Sequence, residues 1–218
     1  MTRPGKTQYA MSRRRWAAIA AVCVAAAVLL VWLDHNSPEP ERQSQGKSQE
    51  QLRAWDTKKY HGGTFTVSNV VDGDTMDIDV PDGEYEHTRI RLWGIDTPES
   101  KSPKVGVMYF GPEAAEFTRN VVLGRDVRIY LDEGNRTRGY YGRVLAYVQL
   151  PDGRFLNEVL VSQGYAYADV RFRHSNYNKY KQLESAARGQ QKGLWAAVTR
   201  EQLPQWLQRE KPNLLQAK

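Results

Sequence analysis

The sequence predicts an α+β domain that is mainly β, a five-stranded Greek-key barrel with three helices, preceded by an N-terminal transmembrane helix. Three observations carry this. Five short runs of alternating or β-branched residues are separated by turn signals such as Asp72-Gly73 and Pro81-Asp-Gly83. Three other stretches have apolar residues at helical spacing and end on glycine. Upstream, Trp16 to Leu33 carries no charged residue, and at about 1.5 Å of rise per residue it spans roughly 27 Å, enough to cross a bilayer core.

The first strand is read at 64–71 and the second at 75–80, paired as a hairpin with Asp74 at the start of its second arm. A third strand runs through Arg89-Ile-Arg-Leu-Trp93 and Ile95 to Asp96, where Asp96-Thr-Pro98 stops it, because proline cannot extend a ladder and restricts the residue before it. The first helix is 111–124, with proline in its first turn, early glutamates where the dipole favours them, and a closing glycine. Strands at 127–131 and 144–150 follow, then helices at 155–164 and 176–189. This is the plan of a small closed barrel of the oligonucleotide/oligosaccharide-binding type.

Charge is distributed unevenly. The net charge is +6, but Arg3, Lys6, Arg13, Arg14 and Arg15 precede the apolar run with no acid among them, and the remainder holds 26 basic against 25 acidic residues. The excess therefore bears on membrane topology, and any nucleic-acid binding by the domain must come from local patches. The chain divides into a basic cytoplasmic N-terminus (1–15), a transmembrane anchor or signal segment (16–33), a polar linker (34–61), the barrel domain (62–198) and a C-terminal tail (199–218) with no assigned role. Two fates of the apolar segment stay open. Kept, it makes a single-pass membrane protein with an extracytoplasmic domain; cleaved, it gives a secreted protein. The only cysteine, Cys23, lies in that segment, so the domain has no disulfide and must rest on its core. His35, His61, His87 and His174 show no ligand spacing and read as surface residues, which argues against zinc. No glycine-rich phosphate loop or nucleophilic serine motif is present.

The chemistry concentrates at Arg91 to Ser100. Asp96, Thr97 and Glu99 at a strand end offer two carboxylates and a carbonyl beside Arg91, a mixture suited to a hard cation and an anionic ligand together. Asp-Thr-Pro is equally an ordinary turn initiator, and Asp72 reads as a turn former. Two arginines, Arg91 and Arg143, each beside the end of a strand, can grip one phosphate with charge-assisted bonds.

Together, Val71-Asp-Gly-Asp-Thr75, Arg91 with Asp96-Thr-Pro-Glu99, Lys104-Val-Gly through Tyr109-Phe-Gly-Pro-Glu-Ala114, Arg136-Thr137 with Tyr141-Gly-Arg143, and Asn157-Glu158 with Gly164 resemble the ordered signature of the staphylococcal nuclease (thermonuclease) family over residues 64–195. The resemblance implies a calcium-dependent nuclease acting on DNA and RNA as a monomer. It implies calcium held by Asp74, Asp96 and the Thr97 carbonyl, Glu99 as general base or water-positioning group, and Arg91 and Arg143 on the phosphate. Tyr141 would hold the terminal nucleotide. Two departures concern substrate contacts. Where the type member has Tyr-Val-Tyr this chain has Val170-Arg-Phe172, and Tyr140 stands in place of a lysine. With no aromatic face at position 170, nucleotide binding and base preference are expected to be weaker than in the type member, with KM raised more than kcat is changed, unless Phe172, Tyr140 or Tyr167 supplies the face on which a base stacks. The alternative is a non-catalytic barrel that binds nucleic acid or a partner, a role the fold alone permits.

Overall fold

A computed structural model of the chain describes residues 48–101 and 106–215. The basic N-terminus and the 16–33 segment lie outside the described residues, so the expected transmembrane helix is not shown. Among the described residues no helix is long and apolar enough to cross a membrane.

Five strands close the barrel: β1 (Thr64–Asp72), β2 (Thr75–Ile78), β3 (Thr88–Leu92), β5 (Asp126–Tyr130) and β6 (Val144–Gln149), in the order β1-β2-β3-β6-β5. All neighbours are antiparallel except β3 and β6, which run parallel with Ile90 opposite Val144 and Arg91 opposite Leu145. Two irregularities in the β1–β2 register bend the long first strand, as bulges do, so that it can pair with both β2 and β5. Inward residues include Met76, Ile78, Ile90, Leu92, Ile129, Val144 and Val148, all fully buried. Each large aliphatic side chain so placed contributes about 1.5–3 kcal/mol.

The third predicted strand is broken in two. Gly94 adopts φ 78°, a left-handed conformation that a strand cannot hold, so the chain leaves the barrel after Leu92 and re-forms as β4 (Ile95–Asp96). There it pairs with β7 (Tyr167–Ala168), Ile95 opposite Ala168 and Asp96 opposite Tyr167. This short ribbon outside the barrel carries Asp96.

Helix α2 (Gly111–Val122) packs on β1, with Thr118 Oγ1 donating to the Gly73 carbonyl at 2.6 Å. Helix α3 (Leu156–Ser162) is fastened by the buried Asn157. Its amide donates to the carbonyls of Trp93 and Ala146 and its oxygen accepts from Val148 N. Helix α4 (Tyr177–Gly189) packs against α3. His174, expected at the surface, is instead buried, with Nδ1 3.1 Å from the Tyr147 hydroxyl.

Helices lie beyond the three expected. Gln49–Tyr60, inside the stretch read as polar linker, forms α1, opened by a capping box between Ser48 and Gln51. Its Leu52, Asp56 and Tyr60 recur at helical spacing and are buried. Asp56 is buried because Arg138 meets it: Arg138 donates through Nε and Nη2 to Asp56 and through both Nη atoms to Asp82, with Nη1 also reaching the Gly142 carbonyl. Burial works against the Arg138 charge, and Asp56 and Asp82 more than offset it, so its pKa is raised. The 199–218 stretch likewise contains α5 (Gln205–Glu210), whose Trp206 and Leu207 join Tyr167, Leu194, Trp195 and Leu203 in a second apolar cluster.

Removing one partner from a buried ion network leaves an uncompensated charge at a cost of about 3–5 kcal/mol. Asp56→Ala should therefore destabilise the chain by about that amount in denaturant unfolding. A loss below about 1 kcal/mol would show that α1 is not held by this network.

Candidate active site

Where β2, β3 and β4 approach one another, Arg91 is surrounded by acceptors. It donates to the carbonyls of Leu92 at 3.1 Å and Ile95 at 2.9 Å, reaches Asp74 Oδ2 at 2.8 Å and bonds Asp96 Oδ1 at 2.6 Å. Asp74 is further fixed by the backbone N–H of Thr97 at 2.9 Å and the hydroxyl of Thr75 at 2.9 Å. Residues 22 apart in the chain are thus brought to one point. The turn between β1 and β2 delivers Asp74, and the Gly94 break delivers Asp96 and Thr97.

Two close approaches set this geometry. A Cβ on Gly73 would lie 2.8 Å from Thr97 Oγ1, so the β1–β2 turn reaches Thr97 only because glycine is there. A Cβ on Gly111 would lie 2.2 Å from the Glu99 carbonyl oxygen, so the start of α2 can support the backbone of Glu99 only as glycine. Met108 N adds a 2.8 Å bond to that same carbonyl.

Electrostatics follow from crowding. Burial raises the Asp96 pKa to about 6, with Arg91 opposing and Asp74 adding to the rise. Burial likewise raises Glu99 to about 7, reinforced by Asp72, Asp74 and Asp96. At neutral pH Glu99 therefore retains its proton in part of the metal-free population, where its ordinary value would leave it ionised. Arg91 is held above its usual value because the surrounding carboxylates outweigh the effect of its burial.

Asp72, expected as a turn former, belongs to this group as well. It caps its own turn through Gly73 N at 2.8 Å and acts on Glu99 through charge and a hydrogen bond. Its alternation with Asp74 across Gly73 was the available signal. Arg171 and Trp206 were missed. Arg171 is gripped by Asp169 and approaches Asp96 at 3.5 Å, and the Trp206 indole donates to Asp96 Oδ2 at 2.7 Å.

Of the remaining expected residues, Arg143 is half-buried, while Tyr140, Tyr141 and Phe172 are exposed. Arg143 immediately precedes β6, one strand from Arg91, and its guanidinium lies 5.4 Å from the Tyr141 ring centroid. Tyr140 and Tyr141 are 77% and 45% exposed and meet edge-to-face. Phe172, 41% exposed, stacks on Trp93 at 5.7 Å and 29°, with the Arg136 and Arg171 guanidiniums each 5.8 Å from its ring. Val170 packs against the second apolar cluster instead.

The donor set is all oxygen and its acids crowd one another, which suits a hard cation. Thr97 Oγ1 is buried with no hydrogen-bond partner among the described residues. Among those residues no three acidic, histidine or cysteine side chains stand at metal-binding spacing; the side-chain oxygens the site could offer a cation are those of Asp74 and Asp96, which Arg91 bridges.

The site is thus a set of acids and an arginine gathered at the strand ends of a closed five-stranded barrel. Residues 89–197 match the family described as Staphylococcal nuclease homologue. The chain is 38% identical over 136 residues to the Thermonuclease of Staphylococcus hyicus, covering 61% of this chain and 76% of that one. It is also 38% identical over 135 residues to the Thermonuclease of Staphylococcus intermedius, covering 62% and 77%. To Endonuclease YncB of Bacillus subtilis (strain 168) it is 31% identical over 133 residues, covering 60% and 61%. The chain belongs to the staphylococcal nuclease family and is a hydrolase of the nuclease class.

The raised Glu99 pKa has a consequence for stability. A carboxyl whose folded pKa exceeds its unfolded value contributes stability fully below the unfolded pKa, about 4.5, and loses it as pH rises through about 7. The metal-free chain should lose thermal stability across that window, and Glu99→Gln should flatten the loss and melt higher than the unmodified chain above pH 7. Identical slopes in the two proteins would remove Glu99 from the crowded cluster.

Proposed function

We propose that the chain is a calcium-dependent nuclease hydrolysing phosphodiester bonds of DNA and RNA. The observation that carries this reading is Arg91 bridging Asp74 and Asp96 beside Glu99. Asp74, Asp96 and the Thr97 carbonyl would hold calcium, which when bound supplies a Lewis acid that offsets charge on the phosphate. The protein groups do the rest. Glu99, as carboxylate, accepts a proton from the attacking water as the water oxygen bonds to phosphorus. The bond from phosphorus to the leaving oxygen breaks, that oxygen takes a proton from solvent, and Glu99 gives up to solvent the proton it accepted. Arg91 and Arg143 donate to the phosphate oxygens as charge builds there.

Glu99→Gln and Arg143→Ala should each lower turnover at least about a hundredfold while the far-ultraviolet spectrum is kept, the scale expected for a lost base or charge-stabilising donor. Full activity in either would remove that residue from the chemistry.

Base contact falls to a different residue than a valine-for-tyrosine comparison at position 170 suggests. Val170 faces the apolar cluster, whereas Phe172 offers an exposed ring backed by Trp93 and flanked by arginines. Base stacking on an aromatic ring contributes about 1–3 kcal/mol. Phe172→Ala should therefore raise KM for single-stranded DNA about 5-fold to 150-fold with little change in kcat, and Val170→Tyr should leave KM unchanged. The reverse pattern would move the stacking face to position 170.

For location, the five basic residues before Trp16 favour a cytoplasmic N-terminus and an extracytoplasmic domain, anchored or secreted after cleavage. Added protease should reach the domain in intact cells stripped of any outer layer; a protected domain would refute export.

A further inference from the structure

The C-terminal segment reaches the proposed cation site. Trp206 lies beyond residue 197, where the family match ends, and its indole N–H donates to Asp96 Oδ2 at 2.7 Å while Arg91 holds Oδ1 at 2.6 Å. The indole is itself held in place. Its ring lies 4.3 Å from the Arg171 guanidinium, which Asp169 fixes through two bonds of 2.8 Å. Leu203, Leu207 and Leu214 pack in the same cluster. A second tie joins segment and ribbon: Lys211 pairs with Glu184 Oε2, and Glu184 Oε1 accepts from Ala168 N, the β7 residue opposite Ile95.

Resting on the cation reading above, we infer that Trp206 is a positioning residue that fixes the Asp96 carboxylate as a calcium ligand from the side opposite Arg91. An ionised carboxylate offers about four lone-pair sites over its two oxygens. With Arg91 on Oδ1, and Trp206 together with Arg171 at 3.5 Å on Oδ2, rotation of the carboxylate is fixed and capacity for a cation remains on Oδ1. A tryptophan indole can only donate, so it never competes as a ligand itself. Hydrogen-bond partners of metal-ligating groups typically change metal affinity about 10–100-fold when removed.

The test is calcium binding by the full chain, titrated calorimetrically with calcium chloride and no nucleic acid. Trp206→Phe keeps an aromatic ring but lacks the donor, and its calcium Kd should rise at least about 10-fold. Leu207→Ala loosens the same helix without removing the donor, and its Kd should stay within about twofold of the unmodified value. At saturating calcium, kcat of Trp206→Phe should return to within about threefold of the unmodified chain, since the residue acts through Asp96 alone. In the unmodified chain the Trp206 indole N–H should resist deuterium exchange with and without calcium, a readout that needs no variant. Unchanged or tighter calcium binding in Trp206→Phe, equal weakening in Leu207→Ala, or free exchange of the indole proton would each overturn the inference while leaving the cation site standing. An unmodified chain that binds no calcium would overturn both.

Discussion

Arg91 stands at the end of β3 with Asp74 on one side and Asp96 on the other, and the architecture around it supports that one junction. Burial first, and then repulsion among acids gathered this closely, raise the pKa values of Asp96 and Glu99. Arg91, with Arg171 3.5 Å from Asp96, compensates these acids only in part. Burial and like charge therefore leave a deficit of positive charge at a place bounded by oxygen donors, the condition under which the proposed cation would bind.

Holding such a cluster together requires support from outside it. On one side, Gly73 and Gly111 let backbone approach where any Cβ would collide, so the β1–β2 turn and the start of α2 close on Thr97 and Glu99. On another, Asn157 ties α3 to Trp93 and β6 just below the Gly94 break. The Asp56–Arg138–Asp82 network joins the first helix to the loop that presents Tyr141 and Arg143, with Arg138 bonded to the carbonyl of Gly142. Tyr60 adds to that joint, its hydroxyl 3.1 Å from Thr88 Oγ1 at the start of β3. Aromatic faces then extend outward from the site, where Phe172 on Trp93 and the Tyr140–Tyr141 pair remain accessible.

The barrel was legible because its signals are local. Alternation marks strands, Asp-Gly marks the first turn, and proline with early glutamates marks α2. The break at Gly94 was not, since Arg89 to Ile95 is continuous in composition and only a positive φ at one glycine divides it. The β4–β7 ribbon has two residues per strand, too few to show a period. Helix α1 was hidden by its polar composition: Asp56 belongs to the buried stripe only because Arg138 arrives from 82 residues away. Within the site, Asp74, Arg91, Asp96, Thr97 and Glu99 were found together because their spacing in the sequence matches a known pattern, and the fold gathers these five. Arg171 and Trp206 escaped for the opposite reason. The Trp206 contact to Asp96 spans 110 residues, and no local motif encodes a partner that distant.

The most direct measurement is nuclease activity of the full chain on single-stranded DNA, first stripped with a calcium-selective chelator and then titrated with calcium. Cleavage that is lost on stripping and returns with calcium in a single saturable phase is expected if the carboxylate–arginine junction is the catalytic centre. Cleavage that persists undiminished in the chelated chain would contradict it.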